Sequence, residues 1–122
     1  MNFALWMILV AGVLPWATTG LAKTGGFDNH APRDWVNTLT GWRQRADWAH
    51  RNHFEAFPLF AAAVLTATLT HVPAGRVDAL AGSFVLFRLA YTGAYIAGWA
   101  TLRSIVWLGG VACVVGLFAA GA

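Results

Sequence analysis

Charged side chains are scarce in this sequence: eight Lys and Arg and five Asp and Glu in 122 residues, for a net charge of +3. An ordinary soluble domain devotes roughly a quarter of its residues to charge. This chain reaches only 11%, too little to cover the large relative surface of so small a fold. Its hydrophobic content of 58% also excludes disorder, and its length excludes more than one domain. Cysteine is nearly absent. Cys113 alone can neither close an internal disulfide nor build a metal cage, and its apolar neighbours mark it as a small buried hydrophobe. Basic residues are missing before Lys23. The first apolar run therefore lacks the positive n-region of a cleaved signal, although Gly20-Leu21-Ala22 resembles a cleavage site, and it is expected to be a retained span. No phosphate loop, nucleophile elbow or basic nucleic-acid patch is visible. The bilayer is the partner that remains.

What the sequence has instead is four apolar runs, Phe3 to Ala22, Phe54 to Val72, Ala79 to Ala100 and Ser104 to the end. Each approaches the ~20 residues a helix needs to cross ~30 Å of hydrocarbon. Backbone groups in lipid must be paired within their own segment, so these runs are expected to be helices. The second extends back to about Gly41, and Pro58 should kink it. Val72-Pro-Ala-Gly-Arg76 reads as a tight turn making an antiparallel hairpin of spans two and three. Thr101-Leu-Arg103 reads as the connection between spans three and four. The stretch from Lys23 to about Thr40 reads as one long loop. The fold expected is all-α, an integral membrane four-helix bundle with up-down-up-down topology. Lys23, Arg33, Arg43, Arg45, Arg51 and Arg103 flank one side of the spans, against Arg76 on the other. The positive-inside rule puts the Arg-rich side in the cytoplasm and both termini outside.

Polar groups inside spans are costly, so they carry the functional information. Arg88 lies roughly 14 Å into span three, with Tyr91 and Tyr95 at i+3 and i+7 on the same helical face. The alternative is an Arg that ties the helices together, with the tyrosines as interfacial anchors. A second stripe precedes span two. On a wheel of ~100° per residue, Arg45, Trp48, Arg51, Asn52 and Glu55 share about a third of the circumference. Arginines suit carboxylates and a glutamate suits an ammonium, so this arc fits a small zwitterionic or polyanionic ligand. A solvated positive flank explains the arginines but not Asn52 and Glu55. His50 and His53 fall off the arc and read as interfacial histidines; with Asp47 they make a weak metal signal, and no metal site is expected. With the turn placed near Gly75, Asn52 is level with Ala97 and Glu55 with Ala94. Arg88 is then ~9 Å deeper, within reach of Glu55 only across a kink or from a neighbouring subunit. Housing Arg88 is, on this basis, a reason to expect an oligomer.

Residues 42–60, W-R-Q-R-A-D-W-A-H-R-N-H-F-E-A-F-P-L-F, resemble the second-helix signature of the MAPEG family (membrane-associated proteins in eicosanoid and glutathione metabolism). The Asn-x-x-Glu-x-Phe-Pro core appears as Asn52, Glu55, Phe57 and Pro58. The third-helix pattern appears as Arg88, Tyr91 and Tyr95, and an Arg-Ser pair as Arg103 and Ser104. The likeness covers helices two to four and is closest to the family's bacterial branch. It implies a homotrimer in the bacterial inner membrane that binds glutathione near the cytosolic face as co-substrate. Asn52 and Glu55 would hold the peptide, with Tyr91 and Tyr95 completing the pocket. Arg103 would take the catalytic role, lowering the thiol pKa of bound glutathione by its opposite charge. The chain departs from the eicosanoid-type motif in having Trp48 where that motif has Arg, and Ala56 where it has Tyr, unless Arg45 or Arg51 substitutes. The resulting expectation is a glutathione-dependent transferase or peroxidase acting on an apolar small molecule that arrives through the bilayer. The alternative is a non-enzymatic membrane protein that uses the polar stripe for trimer assembly or lipid headgroup binding. A transporter is third, because four short spans leave no broken-helix pair at the midplane.

Overall fold

The structure, a computed structural model, describes residues 2–122. Among these residues there are five helices and no strand: α1 (Phe3–Ala22), α2 (Pro32–Val36), α3 (Gly41–Leu69), α4 (Ala74–Ala97) and α5 (Ala100–Gly121). The stretch expected as one loop thus contains a short helix, started by Pro32 at its first position, where a missing N–H is harmless. Both interior prolines, Pro15 and Pro58, lie within uninterrupted helical runs.

Three helices, α1, α4 and α5, are long and apolar enough to cross a membrane. α3 is not among them. Its apolar half begins only at Phe54, and the half before it carries Arg43, Arg45, Asp47 and Arg51. Large side chains on the outer faces of α1 and α5 are exposed, among them Trp6, Leu9, Val13, Trp16, Ile105, Leu108 and Val115. An apolar exterior of this extent suits lipid rather than water.

Two turns of the same kind set the register. At the end of α3, the Val72 N–H donates to the Ala67 carbonyl and the His71 N–H to that of Thr68, with His71 at φ 59°. At the end of α4, Trp99 donates to Ala94 and Gly98 to Tyr95, with Gly98 at φ 79°. Both are Schellman closures, whose left-handed residue suits glycine. Each allows the next helix to start almost at once. α4 begins at Ala74, before the turn apex expected at Gly75, and α5 begins at Ala100, so Thr101 to Arg103 are helical rather than connecting.

The earlier start of α4 corrects the expected depth of Arg88. Across the antiparallel pair, Arg45 meets Ile96, Asn52 meets Arg88, His53 meets Thr92, and Phe60 stacks on Phe84 at 3.9 Å between ring centroids. Arg88 is therefore level with Asn52 and His53, with no kink or second subunit required.

The core between the helices is built from Phe60, Ala63, Val64 and Ala67 of α3, Val77, Ala81 and Phe84 of α4, and Cys113, Val114 and Leu117 of α5. α5 meets the rings of α4 with glycine: a Cβ on Gly109 would lie 2.5 Å from Phe87 Cε1. Small residues at such seams let helices approach without a strong apolar drive in lipid. α1 is tied by polar contacts along its length. Asp78 Oδ1 accepts from the Ala4 N–H at 3.0 Å, His50 Nδ1 donates to the Pro15 carbonyl at 2.7 Å, and Arg43 Nε donates to the Ala22 carbonyl at 2.9 Å. The Ala4–Asp78 contact, and the approach of Gly121 to Thr70, bring the start of α1 and the end of α5 to the end of the molecule opposite the Arg-rich one.

Candidate functional site

The polar residues of α3, α4 and α5 fall into an inner ring and an outer groove. Arg88 anchors the inner ring and is only 3% exposed. Its Nη2 donates to Asn52 Oδ1 at 2.9 Å and to His53 Nδ1 at 2.9 Å, and its Nε to the same His53 nitrogen at 3.2 Å. His53 Nε2 lies 2.8 Å from Thr92 Oγ1, and Thr92 Oγ1 donates to the Arg88 carbonyl at 2.9 Å. The donors assign the tautomer. Since Arg88 can only donate and the Thr92 hydroxyl proton is committed, His53 is the neutral form that accepts at Nδ1 and donates at Nε2. The Arg88 guanidinium also lies over the Tyr91 ring, 4.3 Å from its centroid. Among the described residues no buried side-chain polar atom lacks a partner, which is how an arginine is tolerated at this depth.

His53 was the principal residue missed in the sequence. It is buried against α4 instead of lying at an interface, because the inward side of α3 is set by what it packs on. Thr92, one turn after Arg88, was the available signal: a buried arginine needs acceptors, and a threonine spaced to bond the Arg88 carbonyl marks the face they must share. The Asp47, His50 and His53 group does not assemble. Asp47 pairs with Arg51 at 3.0 Å, His50 bonds the Pro15 carbonyl, and His53 belongs to Arg88.

The outer groove is formed by three adjoining clefts. One, of about 250 Å3, has Asn52, Glu55 and Arg88 at its polar end and Leu59, Phe84, Val111 and Val114 deeper in. A wider one of about 420 Å3 is lined by Trp48, Arg51, Asn52, Glu55, Tyr91 and Tyr95. The third, about 260 Å3, adds Arg103, Ser104 and Trp107 to the two tyrosines. Shared residues make them continuous. Here the polar groups are open. The Glu55 carboxylate, the Tyr95 and Ser104 hydroxyls and the Arg103 guanidinium make no side-chain hydrogen bond or ion pair among the described residues. Arg103 rests on the Tyr95 ring, 4.6 Å from its centroid, and Tyr91 meets Tyr95 edge-on.

Arg45 and Arg51 are placed differently from the rest of the arc. Arg45 Nε donates to the Ile96 carbonyl at the end of α4, away from Asn52 and Glu55. Arg51 lines the groove, but its Nη2 is held by Asp47 and by Asn37 Oδ1, each at 3.0 Å.

Membrane-length apolar helices with a polar groove at one end define a multi-pass membrane protein. Its family is given by a direct match: the MAPEG family model covers residues 3–122, and the chain belongs to the MAPEG family. No curated protein and no solved structure matches it.

Proposed function

We propose that the groove receives glutathione as co-substrate at the cytoplasmic membrane boundary, and that the protein is a glutathione-dependent transferase or peroxidase for apolar compounds. The observation that carries this reading is the set of unpartnered polar groups along one groove, with opposite charges at Glu55 and Arg103. Glu55 and the Asn52 amide suit the ammonium and peptide groups of the tripeptide. Arg103, open and at the first turn of α5, suits a thiolate, which its positive charge stabilises over the thiol. The thiolate would attack the electrophilic carbon, forming the C–S bond as the leaving group departs. The cleft lined by Leu59, Phe84 and Val114 gives that electrophile an apolar path. We assign the Arg-rich end to the cytoplasm from the Lys and Arg distribution, and a homotrimer of four-helix bundles from the family's expected assembly. The buried Arg88 gives no support to the trimer, since its ring of partners closes within one chain.

The test is glutathione affinity measured calorimetrically on the purified protein in detergent, with native mass spectrometry for the assembly. Millimolar or tighter binding to a trimer is expected. Dissociation weaker than about tens of millimolar would favour the second reading, in which the polar stripe serves assembly without catalysis. One specific observation favours that second reading: Arg51, which lines the groove beside Trp48, is already paired with Asp47.

A further inference from the structure

A smaller cleft of about 110 Å3 lies beside the groove, where α4 ends and α5 begins. Two arginines, Arg45 and Arg103, line it together with Trp48, Tyr95 and Trp99. No carboxylate lines it among the described residues. Asp47 is paired with Arg51, Asp78 caps α1, Glu55 lies in the glutathione groove, and Asp28 and Asp34 belong to the stretch around α2. Arg45 uses only Nε, on the Ile96 carbonyl, which leaves its terminal nitrogens uncommitted; Arg103 makes no side-chain hydrogen bond. Two guanidiniums facing one small cavity repel each other unless an anion lies between them. The cavity also touches Ala100, in the first turn of the 22-residue α5, whose unpaired N–H groups and dipole add to the positive field. Trp48 and Trp99 are both largely exposed at this end, as tryptophans are at the level of lipid headgroups.

We propose that Arg45 and Arg103 form a binding site for a phosphate oxyanion, the phosphate of an anionic phospholipid at the membrane surface or free phosphate. Guanidiniums bind phosphate through paired N–H donors, and a cavity of this size holds one such group. This site does not depend on the glutathione reading. It shares Trp48, Tyr95 and Arg103 with the groove.

The experiment uses the protein in nanodiscs of phosphatidylglycerol mixed with phosphatidylcholine, with native mass spectrometry of retained lipid and 31P NMR titration of inorganic phosphate. Wild type should retain phosphatidylglycerol, and Arg45→Gln, which keeps a hydrogen-bond donor for Ile96, should bind about tenfold more weakly. Arg45→Lys should fall between them, since an ammonium keeps the charge but not the paired donors. Lipid retention that falls in Arg45→Gln and resists added inorganic phosphate identifies the lipid as the source. Phosphate binding that falls in Arg45→Gln without lipid retention identifies the free ion. Equal retention of both ligands by wild type and Arg45→Gln, with the helical spectrum unchanged, overturns the site. Glu55→Gln separates the two proposals: it should weaken glutathione and leave phosphatidylglycerol retention as in wild type.

Discussion

Arg88 and Arg103 are one residue type in two adjoining regions, and they are treated in opposite ways. Arg88 is buried, with its Nε and Nη2 donating to Asn52 and His53 and Tyr91 beneath it. Arg103 is half-buried and only leans on the Tyr95 ring. A charge whose donors are committed to a neighbouring helix holds helices together. A charge left open at a rim contributes little to the fold and remains available for chemistry. The contrast separates a helix-tying arginine from an open one more cleanly than depth alone.

The most damaging way to break the comparison is Arg88→Leu. It leaves the His53 Nδ1 and the Asn52 Oδ1 without their donor in a buried setting, and each unpaired buried acceptor costs about 1–3 kcal/mol. Folded yield and thermal stability in detergent should fall sharply. Arg103→Leu should do the reverse: unchanged stability, with conjugation of a generic apolar electrophile reduced on the order of 100-fold, as for loss of one donor that stabilises developing negative charge. A wild type that conjugates, alongside an Arg103→Leu variant at full rate, would remove Arg103 from the mechanism. Glu55→Gln is a gentler probe of the same open groove. It should weaken glutathione about tenfold by calorimetry without altering the melting temperature.

The smallest effect expected lies at the opposite end, in the α3–α4 turn, whose left-handed position holds His71 where the α4–α5 turn holds Gly98. Gly98 takes the left-handed conformation freely, whereas His71 takes it against its Cβ. His71→Gly should therefore stabilise the protein by up to about 1 kcal/mol, read as a rise in denaturation midpoint. An unchanged or lowered midpoint would show that His71 contributes something that its φ does not reveal.

Much of the groove was legible in the sequence, because one helix carries its own geometry. Arg88, Tyr91 and Tyr95 share a face by spacing alone, and so do Trp48, Asn52 and Glu55. The helical extension of α3 back to Gly41 was legible too, since nothing between Gly41 and Phe54 breaks a helix. What was not legible is what lies between helices. The apex of the α3–α4 turn was placed at Gly75 from composition, but backbone closure by His71 starts α4 at Ala74. That small difference moves Arg88 from below Asn52 to beside it. His53 was lost for a related reason: a helical wheel gives relative angles within one helix and says nothing of which angle faces the neighbour. Arg45 lies on the right arc, yet the end of α4 draws it to the Ile96 carbonyl.

The ties on α1 have a mechanical consequence. A greased cylinder lying along other helices could spin about its long axis, a movement that lipid does not resist. Here Asp78 holds the starting rim of that cylinder at Ala4, His50 grips the middle at Pro15, and Arg43 holds the far rim at Ala22. One fastening would leave a pivot. Three, spread from end to end, oppose rotation, so α1 behaves as a keyed shaft. The flank bearing Trp6, Val13 and Trp16 is thereby locked at one azimuth, and whatever surrounds the protein always meets the same side of its first helix.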